Sequence, residues 1–411
     1  MVYVINMQGN PIMPCKEAKA RKLLKNNLAI VVKREPFTIQ LIFECENKTQ
    51  DITLGVDAGS RHIGLSATTS KKELYSADVE LRKDIVDLLS TRKQNRRTRR
   101  NRLRYRKPRF MNRVKSKNKG WLAPSIEHKI QTHFNIVAKI HQILPITKII
   151  VETASFDVQK IKNPNIQGSE YQQGEQLDFW NIREYVLFRD GHKCHGKKGC
   201  KNNILNVHHI ESRKTGGNSP SNLITLCEEC HSDYHKGKLK LNLKRGQSFR
   251  DAAFIGIMRW SFYNRLKEIY PNVKMTYGYI TKNTRIKNGL PKEHYIDALC
   301  ITGNPCVERL DFYYYIKQVR KHNRQIHKAN LLKKGVKKLN QAPYLVKGFR
   351  LFDKVKFDGQ ECFIFARRSS GYFDIRKLDG ISIHKSASYK KLLLLTKRKS
   401  VLIERRRQFL H

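Results

Sequence analysis

The chain has 411 residues, 39% of them hydrophobic, with 82 Lys and Arg against 35 Asp and Glu, a formal net charge of +47. At about 150 residues per domain that length predicts roughly three domains, and repulsion on this scale opposes a compact state unless counter-charge such as a phosphate polymer is bound. No apolar run approaches the roughly eighteen residues of a membrane span and the N-terminus lacks an apolar signal core, so the sequence reads as soluble and intracellular, with no membrane partner.

Residues 1–50 read as a small α/β unit. Val2–Ile5 alternates and meets a turn at Gln8-Gly9-Asn10, Lys16–Asn26 reads as a basic helix, and Ala29–Lys33 and Phe37–Phe43 are β-rich. An apolar strand, ITLGVD, begins at Ile52, and HIGLSAT follows a Gly-containing turn. Arg92–Phe110 then holds eleven Lys or Arg in nineteen residues, within a stretch, Leu88 to Ile126, that has no acid at all. Arg92–Lys107 contains no Pro or Gly and is predicted helical. Its bases, among them Arg92, Arg96, Arg97, Arg99, Arg100, Arg102, Arg104 and Arg106, lie all around the helix. A helix resting on a protein core keeps an apolar face, which Leu103 and Tyr105 cannot supply. Phosphates are the expected surroundings, and Arg suits phosphate forks and base stacking. The plain alternative is a solvated basic tail.

Ser125–Leu144 shows helical periodicity, with Ser125 as N-cap and Pro145 as stop. KIIVE (148–152) reads as a buried strand, Ser248–Tyr270 as a long helix, 273–280 as β-like, and a helix follows Pro291. Residues 312–352 are again free of acids and hold eleven Lys or Arg. Beyond them, alternating stretches with turns at Asp358-Gly359, Ser370-Gly371 and Asp379-Gly380 predict serial hairpins and a small barrel.

Nine cysteines are present; Cys194, Cys200, Cys227 and Cys230 cluster within thirty-seven residues and the rest are scattered. An odd total with one tight group argues for metal rather than disulfides. Cys227 and Cys230 form a C-x2-C knuckle, which Cys194 and Cys200 complete as a four-thiolate structural zinc site. The first pair is C-x5-C, wider than the common spacing, so His192 or His195 is an alternative to one thiolate. A zinc module without chemistry explains the cysteines alone equally well.

The histidines add chemistry. His208-His209, then Asn222 thirteen residues on, then His231 and His235, resemble in order and spacing an HNH nuclease, or ββα-metal finger. Such chemistry asks for a divalent metal on the scissile phosphate and a neutral imidazole to take a proton from water. Adjacent histidines on a strand point to opposite sides, so the two cannot share one role. The resemblance implies His208 as metal ligand, His209 as general base and Asn222 as support for base or metal. His231 is the implied last ligand, with His235, one turn later, as the alternative.

The scarce carboxylates carry a second resemblance. Asp57 ends LGVD, Glu152 ends KIIVE, and His294 and Asp297 sit three apart in PKEHYIDAL, on one helical face. Each alone is weak, since an Asp before Gly is more often a turn former. Together they resemble the split RuvC, or RNase H-like, nuclease. That resemblance implies Asp57, Glu152 and Asp297 as ligands of two Mg2+ (or Mn2+) ions, with His294 assisting as base or ligand.

Taken in order, the chain resembles the IscB family of transposon-encoded RNA-guided nucleases, relatives of the ancestor of type II CRISPR effectors. NPIMP (10–14) is similar to the family's Pro-Leu-Met-Pro signature, and RKHNRQIHKAN (320–330), with Arg320, Arg324 and Lys328, is similar to its basic segment after the third RuvC piece. The resemblance implies an α/β multidomain chain: an N-terminal domain at 1–50, RuvC pieces at 51–80, 119–178 and 246–310, and an Arg-rich bridge helix at 81–118. It puts an inserted HNH domain at 179–245, and at 311–411 a basic linker with a C-terminal barrel-like domain that meets RNA and a target-adjacent motif. It implies an RNA-guided DNA endonuclease, a monomer in a ribonucleoprotein with a guide (omega) RNA and double-stranded DNA, in the prokaryotic cytoplasm and nucleoid. The alternatives are a protein-guided HNH/RuvC-like nuclease, although no helix-turn-helix or long DNA-reading hairpin is seen, and a catalytically inactive RNA-binding protein.

Overall fold

The computed structural model describes residues 1–46, 48–103, 122–153, 179, 181–211, 218–246, 250–321 and 343–408, and for 97–103 and 250–254 the backbone alone. The chain divides into two units, residues 1–154 with 255–411, and residues 155–254.

The first unit begins with a four-stranded sheet. Strands β1 (Val2–Ile5), β2 (Pro11–Cys15), β3 (Ala29–Lys33) and β4 (Thr38–Leu41) lie in the order β2-β1-β4-β3, and helix α1 (Glu17–Lys25) packs Ala20 against them. The helix and strands β1, β3 and β4 follow the sequence pattern, whereas β2 was not read from it.

The central sheet has seven strands. They are β5 (Thr53–Ala58), β6 (His62–Thr68), β7 (Glu73–Glu80), β8 (Lys148–Thr153), β11 (Val273–Tyr277), β12 (Phe312–Gln318) and β18 (Val401–Arg407), in the order β11-β8-β5-β6-β7-β12-β18. β11, β8 and β5 run parallel, as do β7 and β12; the β5–β6–β7 meander and the β12–β18 edge are antiparallel. Leu54, Val56, Leu65, Ala67, Ala77 and Val151 are wholly buried. Such continuous apolar strands belong to a sheet covered on both faces.

Helices supply the cover. α2 (Ile85–Leu103) follows the sheet's first meander, and α3 (Pro124–His141) buries Ile130, Ile136, Val137 and Ile140. Ala123 rather than Ser125 caps α3, because Pro124 takes the first helical position, where its missing N–H is no loss. α6 (Arg250–Ile269), α7 (Gly278–Lys287) and α8 (His294–Ile301) complete the layer. The β-like stretch expected over 273–280 ends at Tyr277, where α7 begins.

Segment 311–411 gives its first and last strands to the central sheet. Its charge hides them, because Arg405 stacks on Phe312 and Arg406 on Tyr315, 3.6 and 3.9 Å from the ring centres. Between them β13 (Lys354–Phe357), β14 (Gln360–Arg367), β15 (Tyr372–Arg376), β16 (Ser382–Ser388) and β17 (Leu393–Thr396) form an antiparallel sheet ordered β16-β15-β14-β13-β17. Val355, Ile364, Phe373 and Ile375 are its core. The Asp358-Gly359 turn has both residues at positive φ (47° and 76°), the geometry that matches strand twist.

The second unit is small. Strands β9 (Leu205–His209) and β10 (Leu223–Cys227) pair, with helices α4 (Ile182–Arg189) and α5 (Glu228–His235) against them. Its apolar cluster holds Tyr185, Val186 and Leu223, edged by Phe179, Ile182 and Val207. A core this size needs a further staple.

α8 lies directly on β5 and β6. A Cβ at Gly55 would fall 2.1 Å from the Ala298 carbonyl oxygen, and one at Gly64 1.8 Å from that of His294. Gly64→Ala is therefore expected to lift the start of α8 and destabilise the first unit by about 3 kcal/mol or more, at the upper end of overpacking costs. Thermal unfolding measures this, and a wild-type melt would mean that α8 is not seated as described.

Candidate functional site

In the second unit, the sulfurs of Cys194, Cys200, Cys227 and Cys230 all lie within 4.8 Å of one another. Cys200 and Cys227 are 3.7 Å apart and Cys200 and Cys230 4.0 Å. Tetrahedral zinc with Zn–S of about 2.3 Å sets S···S near about 3.8 Å, whereas a disulfide needs about 2.05 Å. The donor set and spacing fit zinc. Backbone N–H groups of Cys227 and Gly196 donate to Cys194 Sγ, at 3.1 and 3.3 Å, which favours a thiolate. Without metal, burial raises the Cys230 thiol to about 12, so a cation is needed to hold it as thiolate at neutral pH. The group contains neither His192 nor His195. His195 instead turns its Nε2 toward the Asp190 carbonyl. The wide first pair closes through Gly196, where a Cβ would strike Cys230 Sγ at 2.7 Å.

The knuckle also builds the second cluster. Cys227 is the N-cap of α5, its sulfur accepting from Cys230 N–H at 3.3 Å. That helix carries His231 and His235 four residues apart on one face. They meet His208 of β9, with ring centres 5.0, 5.1 and 4.6 Å apart, and one ring nitrogen of each lies within 4.8 Å of the others. Both candidate last histidines thus belong to one three-imidazole group. Burial, then His231 and His235, lower His208 to about 4, so it is neutral at pH 7, as a ligand must be. Its buried Nε2 has no hydrogen-bond partner. An orphaned ring nitrogen facing two more imidazoles fits a divalent metal.

His209 stands apart from that group, as strand alternation requires. Its Nε2 is 3.0 Å from Asn218 Oδ1. Asn222 is fully buried and staples the chain after β9: its Oδ1 accepts from Glu211 N–H at 2.8 Å and its Nδ2 donates to Glu211 O at 3.0 Å.

In the first unit, β5 and β8 are parallel neighbours with Val56 beside Val151. Asp57 and Glu152, one residue further, therefore end side by side at the carboxyl end of the sheet. α8 brings His294 over them, with Nδ1 2.8 Å from Asp57 Oδ2. Asp297, in the same first turn, is 3.0 Å from Arg285 Nε. Burial, then Asp57, raises the pKa of both Glu152 and Asp297. The hydrogen bond to Asp57 raises that of His294. Clustered acids of this kind favour a nearby cation, although among the described residues the groups whose ligand atoms all lie within 4.8 Å of one another are the cysteine and histidine clusters and not these carboxylates.

Arg259 of α6 was not legible as part of this site. Its guanidinium is buried and donates to Glu152 Oε1 at 2.8 Å, Asp57 Oδ1 at 3.3 Å and Ala58 O at 2.8 Å. The available signal is an Arg between Met258 and Phe262 on the helix's apolar stripe, where a charge needs a partner. His62 was also missed. Its ring stacks on His294 (5.0 Å, 6°) and its Nδ1 meets Asp78 Oδ1 at 3.0 Å.

Of the basic candidates, Arg92 and Arg96 are exposed on α2. Arg97, Arg99, Arg100 and Arg102 lie on its helical backbone. Arg320 follows β12, its carbonyl accepting from Arg398. Arg104, Arg106, Arg324 and Lys328 lie outside the described residues. Among the described residues no helix is long and apolar enough to cross a membrane.

The profile of the RRXRR protein family matches residues 2–174, and that of the HNH endonuclease family residues 192–237. Among curated proteins, Anaredoxin of Nostoc sp. (strain PCC 7120 / SAG 25.82 / UTEX 2576) is 42% identical over 45 residues, 11% of this chain and 59% of that protein. Two crystal structures of Streptococcus thermophilus Cas9, in complex with the GGAA PAM and the AGAA PAM, overlay with a TM-score of 0.34 each, at 15% and 13% identity. They cover 51% and 62% of this chain and 30% and 32% of Cas9. The chain thus spans under two thirds of these relatives' own length. The second unit holds an HNH endonuclease domain, a type of hydrolase that works with divalent metal. The RRXRR match lies ahead of it in the chain.

Two outcomes test these clusters. Cys227→Ser keeps a capping oxygen but loses a thiolate, and Cys227→Ala loses both. Zinc content should fall below one equivalent in each, and the Ala variant should be the less stable by about 1 kcal/mol. Arg259→Met leaves two buried carboxylates without their cation and is expected to cost about 3–5 kcal/mol. Added Mg2+ should then restore more melting temperature to this variant than it adds to the wild type. An equal response would mean that the carboxylates do not share the guanidinium.

Proposed function

We propose that the protein is an RNA-guided DNA endonuclease with two metal-dependent cutting sites. The observation that carries this reading is chemical: one chain holds a three-imidazole centre in one unit and a converging carboxylate centre in the other. Two centres of different type suit two strands that meet the protein in different states, one paired with RNA and one displaced. The charge of +47 supports a large phosphate partner. The proposed map is the one read from the sequence, with a split RNase H-like (RuvC) core at 51–80, 119–178 and 246–310, the bridge helix at 81–118 and the HNH domain at 179–245.

In this reading the guide RNA pairs with one strand, and the protein grips the heteroduplex by backbone and shape. His208, His231 and His235 hold one metal, and Asp57, Glu152 and Asp297 hold two. Bound Mg2+ or Mn2+ would polarise the scissile phosphate and stabilise the leaving oxygen. The other roles fall to the chain's own groups. Asn218 Oδ1 accepts the Nε2 proton of His209, which leaves Nδ1 free to take a proton from water. Asn222 fixes the backbone that presents His209. Asp57 holds His294 through Nδ1, which directs Nε2 away from it. The basic helix and the C-terminal sheet meet RNA and the target-adjacent motif.

A strand-labelled duplex with guide RNA tests the division of labour. His209→Ala should lower cutting of the paired strand by about 10²–10⁴-fold and spare the displaced strand. Asp57→Ala should do the reverse. If either variant lost both cuts while folding and RNA binding stayed intact, the two-site assignment would be wrong. Cutting by the wild type without RNA would point to a protein-guided nuclease.

A further inference from the structure

A cavity of about 490 Å³ lies within the first unit, and its lining includes none of Asp57, Glu152, His294 and Asp297. Its size falls in the range of about 300–1,000 Å³ typical of ligand sites. The end of β3, helix α3, the edge of the central sheet and the segment joining β17 to β18 form its walls. Ile140, Ile143, Ile316 and Ile403 make one side apolar, and Gln142 and Thr396 add hydrogen-bonding groups.

The rim is cationic and largely unanswered. Among the described lining residues Glu35 is the one carboxylate, and Lys354 already engages it. Arg34 is committed to the Leu395 carbonyl at 3.0 Å. Lys33, Lys139, Lys397 and Lys399 remain, and burial first, then repulsion from neighbouring lysines of this set, lowers the pKa of Lys33 and Lys139. Clustered lysines of this kind favour an anion.

The wall also offers a stacking surface. Phe352 lines the cavity with φ of +67°, a conformation costly for a bulky side chain. Its N–H donates to Ile364 O at 2.7 Å, and Arg398 covers its ring at 5.7 Å from the centre. Proteins stack unstacked bases on aromatic rings and on guanidinium planes, and Phe352 and Arg398 both line this cavity.

We propose that this cavity binds one unstacked nucleotide of a folded RNA, its base against Phe352 and the apolar wall, its phosphate on Lys33, Lys139 and Lys399. The inference rests on the RNA-guided reading and adds to it a site where the protein recognises the RNA's own fold. A simple fatty anion would satisfy the lysines but would make no use of the amide, the hydroxyl or the stacked ring. Loops and bulges of folded RNA present single splayed bases, which a duplex does not.

The test uses the ribonucleoprotein purified with its RNA. Base-specific chemical probing is run on the wild type, on Leu395→Trp, which fills the cavity, and on Lys139→Gln with Lys399→Gln, which keeps the cavity and removes two charges. One nucleotide should be protected in the wild type and become reactive in both variants. RNA affinity should fall about tenfold in Leu395→Trp, as for loss of one stacked base. The double-lysine variant should lower the dependence of log affinity on log salt by up to about 0.7, the share of the one single-strand phosphate held there. If both variants keep the wild-type protection pattern, affinity and salt slope, the cavity holds no nucleotide. If single-stranded DNA competes equally for the protected position, the occupant is not RNA and the proposal falls. If no RNA survives purification of the wild type at about 0.5 M salt, where phosphate contacts weaken strongly, the guided reading itself fails.

Discussion

Helix α8 can lie on strands β5 and β6 because residues 55 and 64 carry no side chain. A Cβ at either would sit about two ångströms from a helix carbonyl, far inside contact distance. The close approach turns a packing contact into a functional one. α8 begins at His294 and has Asp297 in its first turn, so seating the helix also seats both groups beside Asp57. Parallel pairing of β5 with β8 brings Glu152 to the same edge. Three pieces of chain far apart in sequence thus converge through backbone geometry, and the side chains inherit their positions from it.

Convergence of carboxylates needs an opposing charge. Arg259 supplies it, binding both Asp57 and Glu152 from a buried position. Burial, then the charge of Asp57, still raises the pKa of Glu152 and Asp297. The second unit has a different problem, a limited core. Its apolar cluster is small, and Cys227 serves as sheet end, helix cap and thiolate at once. One residue therefore couples the four-cysteine cluster to the helix that carries His231 and His235.

The sequence made some of this legible and hid the rest, for physical reasons. Local signals carried well. The alternation of HIGLSAT, the periodicity from Ile126 to Leu144 and the C-x2-C knuckle each reflect a short-range pattern, and each appears where expected. His208 and a partner on the following helix were readable through their resemblance in order and spacing to an HNH nuclease, and the structure brings His208, His231 and His235 together. Whether His231 or His235 belonged was not readable, since both lie on one helical face and only the position of β9 decides. Arg259 was hidden among the many Arg of this chain, its role set by partners more than a hundred residues away. β12 and β18 were hidden by charge. Reading 312–352 by its lysines and arginines obscured the apolar alternation of Phe312, Tyr314 and Ile316.

That masking bears on how so basic a chain folds. Several cations are neutralised within the first unit without phosphate. Lys354 is held between Glu35 and Glu361, Arg406 between Glu404 and the Tyr315 ring, and Arg405 lies on Phe312. Cation–π contacts and buried pairs of this kind let an arginine-rich strand enter a sheet. They also set the remainder in relief. Where cations such as Lys33, Lys139 and Lys399 gather around a cavity with one carboxylate already engaged, folding has left the charge for a partner to complete. In a protein of net charge +47 the informative cations are therefore those that the fold does not use.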